Sequence, residues 1–341
     1  MNAVERSEPR EPPIGPVLVT GGAGYIGSHT VRLLQRQRVP VVVLDNLSKG
    51  HRQAVAGPIE VLDLGDRPRL DALFERVRPR SVVHFAAQAY VGESVAEPAK
   101  YYLENVHFTW NLLQAMRRVD CSEIVFSSSC ATYGNPVRLP IDEDHPQAPI
   151  SPYGRTKLHM EHMLQDFGAA YGLRWAALRY FNAAGAAQDG SLGEDHAPET
   201  HLIPLVLQTA LGARAELQIF GDDYDTPDGT CVRDYVHVED LADAHVRALG
   251  ALQRGVRSLA CNLGTGSGFS VREVIEAARA VTGREVQARV VARRAGDPPR
   301  LVSGGTRARD LLGWVPRRAA LSDIVGDAWN FLVRHPDGYA E

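Results

Sequence analysis

The sequence predicts an α/β protein built on a doubly wound parallel sheet, with a smaller α/β part interleaved in the C-terminal half. Three observations support this fold class. Short β-branched runs alternate with helical stretches over the first half of the chain. A glycine-rich turn joins the first predicted strand to the first predicted helix. The regular alternation then breaks down after about residue 181, where a second region begins.

Length, composition and charge limit the classes of protein to which this chain can belong. A chain of 341 residues with 44% hydrophobic residues can bury a large core, as one large domain or two closely joined ones. The net charge of −4 gives no general basic field for nucleic acid. Residues 1–13 are rich in Glu, Arg and Pro, which predicts a disordered tail and not a signal peptide. No apolar run approaches the ~20 residues that cross a bilayer, so we expect a soluble, cytoplasmic protein without a membrane partner.

Cysteines and histidines give no metal motif. Cys121, Cys130, Cys231 and Cys261 are scattered without a CxxC pair, which favours reduced thiols over a disulfide frame or a zinc site. The twelve histidines include no HExxH, and no tight cluster of histidines and carboxylates is evident. We therefore expect no metal site.

The first predicted strand, Val17–Thr20, leads through the glycine turn into a helical stretch that ends near residue 37. Gly21, Gly24 and Gly27 are spaced GxxGxxG. Glycines at this spacing let the backbone turn tightly and approach a pyrophosphate, which the N–H groups of the helix start face. The turn suggests a dinucleotide site, although an ordinary turn between a strand and a helix can look the same.

A second buried strand, Val41–Asp45, supports the dinucleotide reading. It ends in an acid 18 residues after Gly27. A carboxylate about 20 residues after the glycines is placed to hold the diol of a ribose. Because such an acid repels a 2′-phosphate, the sequence favours NAD over NADP.

The alternation continues with strands predicted at 59–63 and 81–85 and a helix over about 68–76 between them. A helical segment over about 97–118 precedes a strand at 123–127. Strands separated by helices imply a parallel sheet with helices on both faces. Such sheets bind ligands at the carboxyl ends of their strands, so the serines near residue 127 are expected at the site.

Tyr153 and Lys157 stand four residues apart at the start of a predicted long helix, where positions i and i+4 share one face. A neighbouring cation favours the ionised form of a phenol, so we expect Lys157 to make Tyr153 a usable base near neutral pH. Tyrosine and lysine at this spacing are also common on helix surfaces. The serine run 127–129 and the glycine turn favour the functional interpretation.

The second region follows a strand predicted at 174–181. It contains two turn-rich stretches, 190–204 and 221–230, and long irregular stretches in a compact fold are often functional. Ser270 and Glu273 have the form of a capping box. The remaining predicted elements are helices over about 202–211, 239–253, 270–281 and 321–333 and a strand over 258–263.

No internal repeat or low-complexity linker separates the two parts, so we expect them to be interleaved. The predicted boundaries are a tail over 1–13, a dinucleotide-binding domain over 14–181 plus about 234–264, and a substrate domain over 182–233 plus 265–341.

With these residues in view, the chain after the tail resembles the extended short-chain dehydrogenase/reductase group. Within that group it is similar to the UDP-glucose 4-epimerases, also called UDP-galactose 4-epimerases. The glycine turn and the spacing of Tyr153 and Lys157 are typical of the whole superfamily. More specific are SPYGRTK at 151–157, LRYFNAAGA at 178–186 and IFGDDYDTPDGTCVRDYVHV at 219–238.

The resemblance implies a role for individual residues. It makes Tyr153 the base, Lys157 its electrostatic partner and a ribose holder, and Ser129 the hydroxyl beside the reacting sugar oxygen. The positions implied to contact NAD are Gly21, Gly24, Tyr25, Ile26, Gly27, Asp45, Asn46, Leu47, Ser48, Asp63, Leu64, Phe85, Ala86, Ala87, Asn105, Lys157 and Phe181. Those implied to contact a UDP-sugar are Ser129, Tyr153, Asn182, His201, Leu202, Gln218, Ile219, Phe220, Arg233, Arg294 and Asp297.

The implied activity is NAD-dependent 4-epimerisation of a UDP-hexose, UDP-galactose to UDP-glucose, through a 4-keto intermediate, with NAD tightly bound and regenerated in each turnover. Leu301 stands where the family carries either a large aromatic or a small residue, which leaves UDP-N-acetylglucosamine open as a substrate. Epimerisation of UDP-arabinose/xylose or of a UDP-uronic acid is a further open alternative. A nucleotide-sugar 4,6-dehydratase is disfavoured because residues 130–132 carry no carboxylate. The complete set of Ser129, Tyr153 and Lys157 disfavours a catalytically silent NAD-binding regulator.

The resemblance also implies a homodimer, formed through the helices near 97–118 and 153–171. Their apolar faces could equally serve the core.

Overall fold

The computed structural model describes residues 16–294 and 297–339. The predicted disordered tail, residues 1–13, lies outside the described residues. The strands, in chain order, are β1 Val17–Thr20, β2 Val41–Asp45, β3 Ile59–Val61, β4 Ser81–His84, β5 Glu123–Ser129, β6 Arg174–Tyr180, β7 Asn182–Ala184, β8 Leu217–Phe220, β9 Val232–His237, β10 Ser258–Leu263, β11 Gly268–Ser270, β12 Ala288–Val291 and β13 Arg300–Leu301.

The helices alternate with these strands. In chain order they are α1 Tyr25–Arg36, α2 Arg67–Val77, α3 Val91–Ala96, α4 Pro98–Tyr101, α5 Phe108–Arg118, α6 Pro152–Tyr171, α7 Leu202–Leu211, α8 Val238–Gln253, α9 Val271–Thr282, α10 Arg307–Leu312 and α11 Leu321–Arg334. A π-helical turn, Tyr102–His107, joins α4 to α5, and short 3-10 turns lie at Arg52–Ala54 and Cys130–Thr132. None of the helices in the described part of the chain combines the length and the apolar character that a membrane crossing requires.

The large sheet has seven parallel strands in the order β10-β6-β5-β4-β1-β2-β3. Successive side chains of a strand point to opposite faces of the sheet, so each strand contributes side chains to the hydrophobic core on each face. Val17 and Val19 pack under α1 and α8 on one face, whereas Leu18 packs against α2 and α5 on the other. The strand order reverses between β1 and β4, and a doubly wound sheet binds its ligand at such a point.

The C-terminal half forms a smaller unit with two further sheets. Strand β9 pairs with β7 and β13 in parallel and with β11 in antiparallel, while β8 and β12 form a separate parallel pair. Helices α7, α9 and α11 pack together over this unit. Strand β7 follows β6 after a single residue, so the chain passes directly from the large sheet into the smaller one.

One C-terminal segment returns to the first unit. Ala308 and Leu312 of α10 and the following Trp314 lie in the core under α1 and α8. The indole Nε1 of Trp314 donates to the carbonyl oxygen of Asp240 in α8 at 2.9 Å. The predicted domain boundaries remain a prediction, but residues 307–314, assigned by them to the substrate domain, pack on the first unit.

The predicted fold class and the order of the main elements are confirmed. The capping box at Ser270 and Glu273 is present with both of its hydrogen bonds. The four cysteines are free, as predicted, and all four are buried. The largest differences are that the strand predicted at 59–63 ends at residue 61, that the strand predicted at 123–127 runs to residue 129, and that the segment predicted as one helix over 97–118 contains the π-helical turn.

Candidate active site

The glycine turn between β1 and α1 lies at the carboxyl edge of the large sheet. Gly21 has φ +68°, and a Cβ there would lie 2.5 Å from the backbone N of Ala86. Glycine is required because the loops after β1 and β4 touch at this point. A Cβ at Gly27 would collide with the carbonyl oxygen of Gly21. Helix α1 has no side-chain cap, so the N–H groups of its first turn remain available to an anion.

Asp45 closes β2 and is buried. Its carboxylate accepts hydrogen bonds from the backbone N–H groups of Ala23 and Leu47, each at 2.9 Å. The acid therefore ties the glycine turn to the loop that follows β2. Burial raises the pKa of Asp45, and the two N–H donors act in the opposite direction.

The polar residues after β2 and β3 form one hydrogen-bonded group. Asn46 Nδ2 donates to Asp63 Oδ2 at 2.7 Å, and the Ser48 hydroxyl donates to Asn46 Oδ1 at 2.7 Å. The carbonyl oxygen of Leu64 accepts from Asn111 Nδ2 in α5 at 3.0 Å. The structure thus brings these predicted cofactor residues together at the adjacent ends of two strands.

The loop after β4 closes the other side of the glycine turn. The backbone N–H groups of Phe85 and Ala86 donate to the carbonyl oxygen that ends β1. Asn105, in the π-helical turn, is fully buried; its Oδ1 accepts from Gln88 N and its Nδ2 donates to Gln88 O and Thr156 Oγ1. Asn105 therefore positions this loop, and the predicted contact of Asn105 with NAD remains a prediction.

Ser129, Tyr153 and Lys157 meet at the carboxyl end of β5. The Ser129 side chain lies near the Tyr153 hydroxyl and favours the ionised form of the phenol. The Lys157 Nζ lies 5.9 Å from the centre of the Tyr153 ring and donates to the carbonyl oxygen of Ser127 at 2.9 Å. Tyr153 is 7% exposed and Lys157 is 3% exposed, so both groups act in a water-poor site.

The expected ionisation of Tyr153 near neutral pH is wrong for the chain without a bound ligand. Burial raises the pKa of Tyr153 well above its usual value, and the nearby Ser129 side chain offsets only part of this effect. Burial also lowers the pKa of Lys157 from 10.5 to about 7, while the Glu161 carboxylate acts to raise it. The sequence argument counted the attraction between the two groups and omitted the cost of removing each charge from water.

A buried ion pair anchors the helix that carries Tyr153 and Lys157. Glu161, one turn after Lys157 in α6, accepts from Arg179 Nη2 of β6 at 2.6 Å and from Ser128 Oγ of β5 at 2.5 Å. Arg179 Nη1 also donates to the hydroxyl of Tyr133, which is hydrogen-bonded to Asn262 Oδ1 of β10 at 2.7 Å. The sequence analysis missed this network, because residues far apart along the chain give no local signal for pairing.

The residues predicted to face a sugar lie where the two units join. Phe181 packs in an apolar cluster with Cys130, and Leu301 packs against the same cluster. The Cα of Leu301 pairs with that of Arg233 across β13 and β9. Asn182 Nδ2 donates to the carbonyl oxygen of Asp234, next along β9. Leu301 is therefore close both to the serine end of β5 and to a predicted phosphate-binding arginine.

The predicted nucleotide residues come from two neighbouring sheets. Arg233 Nη1 donates to the carbonyl oxygen of Pro298, and its Nη2 lies 3.8 Å from Asp297 Oδ1. Arg294, which follows β12, lies over the ring of Phe220 of β8, with its Cζ 4.3 Å from the ring centre. Gln218 and Ile219 belong to β8 as well.

His201 and Leu202 stand at the start of α7, but His201 is part of a larger group. Its Nδ1 lies 2.5 Å from Glu194 Oε1 and 3.5 Å from Glu199 Oε1, and His196 Nδ1 lies 3.2 Å from Glu194 Oε1. Burial opposes the charged form of His201, but the Glu194 carboxylate raises the pKa of His201 well above its usual value. The prediction of no tight histidine and carboxylate cluster is wrong, and the pattern E-x-H-x-x-E-x-H over 194–201 was the signal for it.

Tyr25 connects the two sides of the crevice. It is the first residue of α1, and its hydroxyl donates to the carbonyl oxygen of Gly185 in the second unit at 2.5 Å. Ile26 packs on the core below. Burial, followed by the charges of Glu194 and Glu199, raises the pKa of Tyr25 well above its usual value.

The residues present fit NAD. The glycine turn leaves no room for side chains beneath a pyrophosphate, the α1 start offers uncapped N–H groups, and Asp45 with its polar neighbours stands at the ribose end. A doubly wound sheet with this crevice and with a Ser, Tyr and Lys set at its edge defines an NAD-dependent enzyme of the short-chain dehydrogenase/reductase type.

Comparisons with known proteins narrow the class. The model of the NAD dependent epimerase/dehydratase family matches residues 17–264. The UDP-glucose 4-epimerase of Halalkalibacterium halodurans is 51% identical over 95% of this chain and 97% of its own. The crystal structure of the Brucella ovis UDP-glucose 4-epimerase in complex with NAD is 53% identical, with a TM-score of 0.91 over 93% of this chain and 98% of its own.

A third relative was solved with a nucleotide sugar. The Stenotrophomonas maltophila UDP-glucose 4-epimerase with bound NAD and formylated UDP-arabinopyranose is 42% identical, with a TM-score of 0.91 over 94% of this chain and 99% of its own. The chain belongs to the UDP-glucose 4-epimerases of the NAD dependent epimerase/dehydratase family.

Proposed function

We propose that the chain interconverts UDP-galactose and UDP-glucose by inverting C4 of the sugar, with NAD as its resident cofactor. The observation that carries this proposal is the buried set of Ser129, Tyr153 and Lys157 at the carboxyl end of β5, next to the loop that follows β4. The family of the chain and the full-length similarity to UDP-glucose 4-epimerases support it.

The cofactor would be held by the three loops that follow β1, β2 and β4. Gly21 and Gly27 would admit its pyrophosphate, Asp45 would hold the adenosine ribose, and Lys157 would hold the second ribose. When bound, NAD supplies a hydride acceptor and donor for C4 and a positive ring that favours the phenolate of Tyr153.

Tyr153 is the proton-transfer group of the proposed reaction. Its phenolate oxygen takes the proton of the sugar 4-hydroxyl, directly or through the nearby Ser129 hydroxyl, and the phenol returns it after inversion. A charged Lys157 near the phenol stabilises the phenolate. Because both groups are buried, their mutual electrostatic effect is stronger than it would be in water.

Inversion requires a sugar that turns while its nucleotide stays in place. Arg233 and Arg294 are presented by different sheets and would bind the diphosphate from two sides, since guanidinium groups remain charged and pair with phosphate oxygens. Phe220, with Gln218 and Ile219 in the same strand, would contact the uridine. The sugar contacts, Asn182 and the neighbourhood of Leu301, are fewer, which leaves the ring free to rotate.

Two rival activities on the same scaffold are less well supported. A 4,6-dehydratase needs a carboxylate acid and base after the strand-end hydroxyl, but Cys130–Thr132 forms a 3-10 turn without a carboxylate. A catalytically silent NAD-binding regulator has no use for the buried set of Ser129, Tyr153 and Lys157. An enzyme that epimerises another UDP-sugar would use the same catalytic residues. We expect it to differ only at the position of Leu301 and its neighbours.

The test is turnover of UDP-galactose to UDP-glucose by the pure protein without added reductant. Tyr153→Phe is expected to lower kcat by about 10²- to 10⁴-fold, the usual contribution of a positioned acid or base, while NAD content stays unchanged. Tyr171→Phe, an exposed position at the end of the same helix, is the matched control and is expected to keep full activity. Near-normal activity of Tyr153→Phe, or no turnover by the unmodified protein, would contradict the proposal.

We also propose a cytoplasmic homodimer that acts in galactose metabolism. Leu103 and Trp110 are exposed one heptad apart on the segment around α5, and Tyr171 is exposed at the end of α6. Apolar side chains exposed along two neighbouring helices are typical of an interface. Light scattering coupled to size-exclusion chromatography tests the dimer, and Trp110→Glu is expected to shift the protein to a monomer.

A further inference from the structure

Residues 194–201 concentrate metal-binding chemistry, and only His201 among its four ligand candidates has an expected role in the reaction, as a contact to the UDP-sugar. Glu194, His196, Glu199 and His201 each offer one ligand atom, and these four atoms all lie within 4.8 Å of one another. Glu194 and Glu199 have side chains that are 6% exposed, so the carboxylates are withdrawn from water. Two buried carboxylates opposite two imidazoles are a donor set for a divalent cation.

The separations between the imidazole nitrogens and the carboxylate oxygens are near those around a four-coordinate ion, and wider pairs among the four donors, none above 4.8 Å, would have to close. His196 Nδ1 lies 3.2 Å from Glu194 Oε1 and 3.8 Å from Glu199 Oε2, and His201 Nδ1 lies 3.5 Å from Glu199 Oε1. Ligands at about 2.0 to 2.1 Å around a tetrahedral zinc ion are separated by roughly 3.3 Å. The shortest pair, His201 Nδ1 and Glu194 Oε1 at 2.5 Å, would have to open by less than an ångström.

Two buried atoms of these four side chains lack hydrogen-bond partners. Glu194 Oε1 and His196 Nδ1 are buried, and neither has a hydrogen-bond partner of acceptable geometry. Buried polar atoms without such partners are uncommon in folded proteins, and a bound ion would satisfy both. Glu199 Oε1, in contrast, is oriented by the backbone N–H groups of Thr200 and His201, at 2.6 and 2.7 Å. Such outer hydrogen bonds hold the ligands of metal sites in place.

The group sits between elements on both sides of the crevice. The ring of His196 meets the ring of Tyr25 at 6.4 Å and that of Tyr90 at 5.9 Å, each edge to face. His201, whose side chain is about half exposed, leaves an entry path from solvent. Two imidazoles and two carboxylates suit zinc and its neighbours in the first transition row better than magnesium or calcium, which prefer oxygen ligands alone.

We propose that Glu194, His196, Glu199 and His201 form a binding site for a divalent transition metal ion of the zinc type. The ion fixes the irregular segment 194–201 at the start of α7 and against the tyrosines of the glycine turn and of the loop after β4. Its role is structural, and the site is independent of whether the chain is a 4-epimerase.

Co²⁺ is the probe, because its visible absorption reports coordination geometry. The full chain, prepared without a polyhistidine tag and freed of metal by dialysis against a chelator, is titrated with Co²⁺ and then with Zn²⁺. Glu194→Gln and His196→Gln each remove one ligand, whereas His159→Gln, an exposed histidine of α6, is the matched control. Far-UV circular dichroism and NAD content confirm that each variant is folded.

Saturable binding of one Co²⁺ per chain with tetrahedral-type absorption, displaced by Zn²⁺, supports the site. We expect each ligand variant to bind at least about 100-fold more weakly and the control to bind normally. X-ray absorption of the Zn²⁺-loaded unmodified chain gives a second readout that does not depend on variants, and scattering from two imidazoles is expected. Non-saturable binding, equal affinity in the ligand variants and the control, or a zinc shell without imidazole would overturn the proposal.

Discussion

The buried pair of Glu161 and Arg179 gives a sharp test of how the catalytic helix is held. Glu161 is completely buried, and its two oxygens accept from Arg179 Nε and Nη2, from Ser128 Oγ and from Gln147 Nε2. Glu161→Gln removes the charge that compensates a guanidinium with 5% exposure. Breaking a buried ion pair by removing one partner typically costs about 3 to 5 kcal/mol.

That loss is large compared with the total stability of a protein, about 5 to 15 kcal/mol. We expect Glu161→Gln to lower the free energy of unfolding by about 3 to 5 kcal/mol, measured by urea denaturation at equal NAD loading. Glu276→Gln is the matched control, because the Glu276 side chain is 68% exposed in its pair with Arg279; a change of less than about 0.5 kcal/mol is expected there.

A double variant separates charge burial from packing. Glu161→Leu combined with Arg179→Met replaces both charges with apolar groups of similar size and leaves Tyr133 its hydrogen bond to Asn262. We expect the double variant to be more stable than Glu161→Gln, since no charge is left buried and unpaired. A loss below about 1 kcal/mol in Glu161→Gln, or a double variant as unstable as the single one, would refute the argument.

Three further predictions follow from the site. Gly21→Ala is expected to destabilise the protein by at least about 2 kcal/mol and to release NAD, because the left-handed φ and the contact with Ala86 both disfavour a side chain; unchanged melting temperature and NAD content would contradict this. In the cofactor-free chain, burial lowers the pKa of Lys157 to about 7, so between pH 7 and the ordinary value of 10.5 the unfolded chain binds more protons. Stability relative to Lys157→Met is therefore expected to rise by about 2 to 3 kcal/mol from pH 7 to pH 9 in urea denaturation, and a flat difference would contradict it. Leu301→Ser is expected to raise, and Leu301→Tyr to lower, the kcat/KM for UDP-N-acetylglucosamine relative to UDP-galactose by about tenfold or more. Equal ratios in all three proteins would exclude Leu301 as a selector.

Most of the large sheet could be predicted because its signals are local. The runs Val17–Thr20 and Val41–Asp45 are short and apolar. The GxxGxxG spacing between the first strand and helix marks the positions where a side chain would collide with nearby backbone. The helix of Tyr153 begins with Ser151, which accepts from Gly154 N, and with a proline in the first turn. Each of these features depends on residues close together in the chain.

The missed features depend on long-range pairing. Strands β8 and β12 are separated by more than 60 residues, and β12 is exposed enough to lack a clear apolar pattern. The pKa of Lys157 depends on burial, which the sequence alone did not reveal. The group at 194–201 is local, but its spacing fits no helix or strand period, and only the irregular fold of this segment brings the four side chains to one point.

The segment with Trp314 decides when a newly made chain can finish folding. Once residue 264 has been synthesised, every strand of the large sheet is present, but the apolar surface of α8 that Trp314 covers is still exposed. Trp314 is synthesised 50 residues later. In the mature protein, Asp240 of α8 then accepts from the backbone of Arg317 and Arg318 as well. A fragment that ends at residue 264 would keep every strand of the large sheet and expose the apolar groove that α10 and Trp314 cover, so we expect it to aggregate.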